Sequence, residues 1–128
     1  MKNTRIVGYV RCSTKEQNPD RQFIAMREFG VPEDCIVVEM LSGKNFNRPA
    51  YQKLIRGLKP GDTLVLDSLD RLGRERDGIV NEWQRITKKK KANIVVLDMP
   101  LLDTRRKDFD MTASFVADLV LQVLSYVS

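Results

Sequence analysis

Residues 5–14 read RIVGYVRCST, a β-branched apolar run that is followed directly by polar side chains. Such a run predicts a buried β-strand that ends where the polar residues begin. We therefore expect a first strand at Arg5–Val10. Runs of the same kind predict three further strands at Ile36–Met40, Thr63–Asp67 and Ile94–Asp98.

Helical patterns separate these runs. Apolar residues recur at helical spacings in Asp20–Phe29, in Pro49–Leu58 and from Arg74 to roughly Lys90. Alternation of strand and helix favours crossover connections, which join parallel strands. The sequence thus predicts an α/β fold, with a mainly parallel central sheet of about four to five strands and helices on both faces.

Composition and charge fit a single globular domain with a polyanionic partner. Of the 128 residues, 42% are hydrophobic, and 22 Lys and Arg against 17 Asp and Glu give a net charge of +5. Cys12 and Cys35 show neither a C-x-x-C spacing nor a metal-binding companion, and we find no signal peptide, so we expect a cytoplasmic protein. The most apolar segment, Phe115–Val127, is interrupted by Asp118 and Gln122 and is too short to span a membrane.

Two polar clusters carry the candidate chemistry of a chain that contains no histidine. Ser13 follows the first strand, whereas Asp70, Arg71 and Arg74 follow the third. If these strands are neighbours, both clusters lie at the carboxyl rim of the sheet, where ligands bind in doubly wound folds. Arg11 lies two residues before Ser13 and shares its side of an extended strand. Because guanidinium groups bind two phosphate oxygens at once, the arrangement suits a phosphodiester.

The residues alone leave two interpretations open. In the simpler one, Ser13 and Thr14 cap a turn, and Asp70 caps a helical turn whose arginines face solvent. In the other, Arg71 and Arg74 share a helix face, because they are three residues apart, and they bind a phosphate that Ser13 attacks.

The spacing Tyr9-x-Arg11-x-Ser13, with the later stretch Leu69-Asp70-Arg71-Leu72-Gly73-Arg74, resembles the serine recombinase family of resolvases and DNA invertases. The resemblance covers nearly the whole chain as the catalytic domain of that family. It implies that Ser13 is the nucleophile. It also implies that the other catalytic residues are Arg11, Arg48, Asp70, Arg71 and Arg74, and that the substrate-binding residues are Tyr9, Gln17, Gln22 and Ser42.

The resemblance implies a reaction and partners. Ser13 would attack duplex DNA to form a 5'-phosphoserine linkage, and strand exchange in a tetramer would precede religation by the freed 3'-hydroxyl. No metal or other cofactor is implied. The partners would be double-stranded DNA and further copies of the chain, as a dimer that becomes a tetramer in the synaptic complex. Asp70 either takes the Ser13 proton or holds an arginine, and we favour the second role because neighbouring guanidiniums make a carboxylate a weaker base.

The resemblance also sets the expected domain organisation. We expect the catalytic domain at residues 1–110 and the beginning of a long oligomerisation helix at residues 111–128. The apolar face of this helix either packs on its own domain or pairs with another protomer, and we favour pairing. The family's DNA-binding domain is absent from the sequence, so we expect a fragment of a mobile-element recombinase that folds but does not recombine DNA alone.

Other interpretations remain. A truncated, non-catalytic regulator or remnant of a recombinase would have the same fold. A metal-dependent nuclease would use Asp67, Asp70 and Asp98, but this hypothesis leaves Ser13 unexplained. The run Lys88–Lys91 is typical of a solvated helix end, and the stretch Asp103–Lys107 is the better candidate for phosphate contact. Tyr9 and Trp83 are most simply explained as core residues.

Overall fold

A computed structural model of the chain describes residues 4–13, 20–41, 47–73, 75–100 and 102–105. This part of the chain contains one four-stranded sheet in the order β2-β1-β3-β4, and every pairing is parallel. The strands are β1 (Ile6–Ser13), β2 (Ile36–Leu41), β3 (Thr63–Leu66) and β4 (Asn93–Val96). The predicted parallel sheet is confirmed, whereas the C-terminal helix expected from residue 111 lies outside the described residues.

Three α-helices cross between the strands. They are α1 (Asp20–Phe29), α2 (Pro49–Arg56) and α3 (Arg76–Gln84), which continues as a π-helical segment at Arg85–Lys89. Short 3-10 turns lie at Glu33–Cys35 and Leu69–Arg71. The bounds of α1 match the prediction. Glycine permits the end of this helix, because Gly30 has φ +108° while its N–H donates to the carbonyl of Met26.

The third helix begins later than the sequence predicted. Arg71 ends a 3-10 turn, and Glu75 has extended dihedral angles just before α3. The helix face that we expected Arg71 to share with Arg74 is therefore not found at Arg71, and Arg74 lies outside the described residues. Residues three apart do align in a 3-10 helix, so the shared face is lost because the turn ends at Arg71.

The sheet is covered on both faces, as predicted. Alternating strand residues point to opposite faces, so each strand contributes to two apolar clusters. The larger cluster joins the strands to α2 and α3 through Tyr9, Leu64, Leu66, Ile94, Tyr51, Ile55 and Trp83. The smaller one joins them to α1 through Val10, Val65, Val95 and Met26. None of the helices in the described part of the chain is long and apolar enough to cross a membrane.

The order of the strands fixes the position of the two polar clusters. Gly8 pairs in register with Val65, so β1 and β3 are neighbours, as the sequence argument required. Because both strands run in the same direction, the carboxyl end of β1 at Ser13 and the loop that follows β3 lie on one rim of the sheet. This rim is therefore the expected position of a ligand site.

Candidate active site

Several charged side chains converge beside the carboxyl end of β1. Burial lowers the pKa of the half-buried Arg11, and the neighbouring Arg71 guanidinium lowers it further. The carboxylate of Asp70 opposes this shift, and Arg48 adds to it. Arg11, Arg48, Asp70 and Arg71 thus lie close enough to influence one another electrostatically. The guanidinium groups repel each other here, and an anion placed among them would relieve that repulsion.

Arg71 is oriented by a carboxylate that the sequence analysis assigned to a different role. Its Nε donates to Asp67 Oδ1 at 2.9 Å, and its Nη2 lies 3.5 Å from Oδ2. Both side chains are less than one-fifth exposed. At Arg71 the guanidinium is held by Asp67. Asp70 accepts a hydrogen bond from the hydroxyl of Ser68, and its charge favours the charged form of Arg11, so its expected role of holding an arginine stays a prediction.

Arg48 ties the start of α2 to the loop after β3. Its guanidinium donates from Nη1 to the carbonyl of Arg71 at 2.8 Å and from Nη2 to the carbonyl of Leu72 at 2.9 Å. It also stacks on the ring of Tyr51, with the guanidinium carbon 3.8 Å from the ring centre. The residue is 5% exposed and has a left-handed backbone with φ +50°. A non-glycine residue holds that conformation only where its surroundings impose it.

Glu39 is a buried carboxylate behind the site that the sequence analysis missed. It is 4% exposed and pairs in register with Arg11 on the neighbouring strand. Its carboxylate accepts hydrogen bonds from the Tyr51 and Ala50 N–H groups at 2.9 and 2.8 Å, and from the Tyr9 hydroxyl at 2.8 Å. A carboxylate is stabilised at a helix N-terminus, where backbone N–H groups lack partners. The sequence signal that could have identified it is a charged residue within the apolar run Ile36–Met40.

Tyr9 occupies the position that its core interpretation predicted. Its ring is fully buried and meets Tyr51 edge to face, with ring centres 5.0 Å apart. Burial raises the pKa of its hydroxyl, and the hydrogen bond to Glu39 raises it further. Tyr9 therefore contacts Glu39 within the buried core, below the surface of the rim.

Gln22 fixes the backbone of β1 at Arg11. The amide Oε1 accepts from the Arg11 N–H at 3.3 Å, and Nε2 donates to the Arg11 carbonyl at 3.1 Å. The side chain is 6% exposed on α1. Gln22 thus satisfies the Arg11 N–H and carbonyl, as a neighbouring strand would, near the end of β1.

Of the remaining predicted site residues, the structure describes the backbone of one and leaves out three. Ser13 is the last residue of β1, where its backbone pairs with Leu41 of β2. Gln17, Ser42 and Arg74 lie outside the described residues. In the predicted phosphate-contact stretch, Arg105 pairs with Asp103 at 2.8 Å and stacks on Phe29.

Three carboxylates follow β3 and β4 at the same rim. Burial raises the pKa of Asp98, and the charges of Asp67 and Asp70 raise it further. These are the residues of the metal-nuclease hypothesis. Asp67, however, is engaged by the Arg71 guanidinium. Within the described ranges, no three such side chains are grouped to hold a metal ion.

Comparison with known proteins gives consistent matches. Residues 6–126 match the family described as Resolvase, N terminal domain. A resolvase of Clostridium perfringens is 37% identical over 99 residues, covering 77% of this chain and 52% of that protein. A DNA-invertase of Escherichia phage P1 is 44% identical over 75 residues, covering 59% of this chain and 39% of that protein. The chain spans about half the length, or less, of these curated relatives.

A solved structure has the same fold. The N-terminal catalytic domain of TP901-1 integrase superimposes with a TM-score of 0.64 at 25% sequence identity. The match covers 97% of this chain and 93% of that structure. The similarity therefore extends over the sheet, the helices and the rim that carries the charged cluster.

Proposed function

The chain belongs to the Resolvase, N terminal domain family, and from that membership we propose that it is the catalytic domain of a serine site-specific DNA recombinase. Ser13 is the nucleophile, and Arg11, Arg48, Asp70, Arg71 and Arg74 form the rest of the catalytic set. The observation that supports this best is the convergence of Arg11, Arg48 and Arg71 next to the end of β1. A phosphodiester is the anion that such a cluster beside a hydroxyl suits.

The reaction proceeds by two phosphoryl transfers. In the first, Ser13 Oγ forms a bond to phosphorus while the bond from phosphorus to the 3'-oxygen breaks. The hydroxyl proton leaves Ser13, and the departing oxygen becomes a 3'-hydroxyl. In the second, a 3'-hydroxyl attacks the 5'-phosphoserine and restores both the DNA phosphodiester and the serine hydroxyl. The covalent linkage conserves the energy of the broken bond, so exchange and religation need no nucleotide cofactor.

The guanidinium groups stabilise the transition state of each transfer. The pentacoordinate phosphorus carries more charge on its oxygens than the diester does, and fixed donors bind that charge more strongly. Arg71 is held by Asp67, and Arg11 is held at its backbone by Gln22. The guanidinium of Arg71 is therefore already oriented when the phosphate arrives, and the backbone that carries Arg11 is fixed. This preorganisation is the contribution that the described residues make to catalysis.

The partners follow from the proposed reaction. Double-stranded DNA is the substrate, and the two curated relatives named above are a resolvase and a DNA-invertase. We propose a homodimer that forms a tetramer around two paired DNA sites. Residues 111–128 begin the helix that joins the protomers, and a separate domain selects the site. The reaction takes place in the cytoplasm, where the DNA lies.

Trapping the covalent intermediate tests this function. Because a tethered domain raises the effective concentration at one site, the chain is fused to a DNA-binding domain of known specificity. It is then incubated with a duplex that carries a nick beside the target phosphate. We expect a DNA adduct that mass spectrometry places on Ser13. Ser13→Ala abolishes it, while the control Ser128→Ala, which removes a serine outside both motifs, retains it. Metal-dependent cleavage by Ser13→Ala would instead favour a nuclease.

A further inference from the structure

A basic surface lies at the end of the sheet opposite the active site. It comprises the exposed or half-exposed side chains of Lys53, Arg56, Lys59, Lys88, Lys89, Lys90 and Lys91. We call this surface the basic rim. Every lysine in the described part of the chain belongs to it. Among the residues that the structure describes, the cations at the active-site rim are arginines.

The basic rim is formed by three chain segments that touch. Lys90 Nζ donates to the carbonyl of Arg56 at 3.1 Å, which joins the end of the π-helical segment to the end of α2. The Gly61 N–H donates to the carbonyl of Lys91 at 3.0 Å, which brings the turn after Lys59 alongside. The fold therefore gathers cations that are far apart in the sequence.

The lysines of this surface lack carboxylate partners within the described ranges. The ion pairs found there join arginines to carboxylates, as in Arg5–Asp62 and Arg85–Glu82. None of them involves Lys53, Lys59 or Lys88–Lys91. A cation or two at the C-terminus of a helix is explained by the helix dipole. The seven cations near the ends of two helices are more than the helix dipole explains, and together they produce a strong positive potential.

Duplex DNA is the partner that this surface fits best. Exposed lysines act as mobile point charges, which suit a phosphate backbone read without regard to sequence. An acidic peptide would need fewer cations, closer together. The surface is also distant from the active site: β1 has eight residues, which span about 26 Å, and the basic rim lies at its amino end. The two surfaces therefore lie at opposite ends of the sheet.

We propose that the basic rim binds the phosphate backbone of a second segment of duplex DNA, separate from the segment that Ser13 cleaves. The inference rests on the proposed function only in taking DNA as the polyanion. Binding at the basic rim requires neither Ser13 nor a recombination site. Its role is to hold neighbouring DNA against the protein while the active site engages the exchange site.

Salt-dependent binding of a 30-base-pair duplex of arbitrary sequence tests this proposal in the Ser13→Ala chain. The rim variant Lys53→Gln/Lys59→Gln removes two exposed lysines. Each phosphate contact contributes about one to the slope of log affinity against log salt, so we expect that slope to decrease by about two. Binding at low salt should weaken by at least about tenfold. The charge-conserving pair Lys53→Arg/Lys59→Arg should restore both values.

Arg21→Gln/Arg27→Gln is the matched control, because it removes two exposed cations from α1 and changes the net charge equally. It should leave the slope unchanged. Equal slopes for the rim variant and this control would overturn the proposal, as would tighter binding of poly-glutamate than of the duplex, which would indicate an acidic protein partner. Trapping the intermediate on Ser13 is independent of these results, so failure of the proposed reaction would be seen separately.

Discussion

Arg48 donates a hydrogen bond to the carbonyl oxygen of Arg71 at 2.8 Å, across 23 residues of sequence. Arg48, the residue directly before α2, thereby sets the position of the loop that carries Asp70 and Arg71. A second bond, to the carbonyl of Leu72, makes the contact a fork that only a guanidinium can form. The loop that carries Asp70 and Arg71 is thus anchored from the core side, and substitutions at Arg48 should change stability as well as the proposed catalysis.

Arg48→Lys should lower the free energy of unfolding by about 2 kcal/mol, because the single nitrogen of an ammonium group cannot reproduce the two-nitrogen fork on the carbonyls or stack on Tyr51 as a plane. Urea unfolding measures this. Arg56→Lys is the control, since Arg56 is exposed, and it should change stability by less than about 0.5 kcal/mol. Equal losses in the two variants would show that the fork contributes nothing.

Glu39→Gln should be more destabilising than its small chemical change suggests. The amide keeps one oxygen acceptor, but its NH2 group faces a donor, either Ala50 N–H or Tyr51 N–H, and the helix loses its negative cap. We expect a loss of about 2 kcal/mol in the free energy of unfolding. Glu28→Gln on the exposed surface of α1 is the control. A loss no larger than that of the control would contradict the capping role.

These contacts explain what the sequence could and could not predict. The four strands and α1 follow from local patterns, namely apolar runs, helical spacing and Gly30. The first strand, however, continues to Ser13, beyond its predicted end at Val10. The proximity of Arg11 to Arg71 followed from strand order. The partners of the charged groups did not, because Glu39 meets Tyr9 only in the observed strand register, and Asp67, which was assigned to the third strand, lies beyond its end and pairs with Arg71. Side-chain pairing across elements depends on geometry that no local spacing encodes.

Alkaline pH should destabilise the fold through Tyr9 and Tyr51. Burial raises the pKa of both hydroxyls above their ordinary value of 10.0, and hydrogen bonds to Glu39 and Glu82 add to the shift. The unfolded chain then loses these protons at lower pH than the folded chain, so stability is present below pH 10 and declines as pH rises above it. Urea unfolding from pH 8 to 11 measures the decline, and Tyr51→Phe should make it shallower. An unchanged slope in that variant would assign the alkaline transition to other groups.

Gln22→Ala should impair catalysis more than DNA binding. Gln22 is 6% exposed and fixes both backbone groups of Arg11, two residues before the proposed nucleophile Ser13. We expect the rate of Ser13 adduct formation at saturating DNA to decrease by about tenfold or more, since small displacements of reacting groups are costly. The affinity for the duplex should stay within about twofold, because no phosphate contact is lost. Gln84→Ala, an exposed position at the end of α3, is the control, and a pure binding defect in Gln22→Ala would exclude the positioning role.

Gly8→Ala should test how closely α1 packs on the centre of the sheet. A Cβ atom at Gly8 would lie 2.8 Å from Met26 Sδ and 3.4 Å from Val31 Cγ1, so the methionine must move within a filled core. We expect a loss of about 1–3 kcal/mol in the free energy of unfolding, the usual result of adding a methyl group to a packed interior. The same alanine in a Met26→Ala background should cost less, because the side chain that it strikes is gone.

The double-mutant cycle separates this clash from strand propensity. If the loss came from the strand itself, it would be the same in both backgrounds, and the coupling energy would be zero. A coupling of about 1 kcal/mol or more would locate the effect at the contact between Gly8 and Met26. Gly8 lies in β1 shortly before Arg11 and Ser13, so the same variant would also report whether displacing α1 slows adduct formation. A slower reaction with unchanged DNA affinity would show that close packing of α1 on β1 is needed to place the nucleophile.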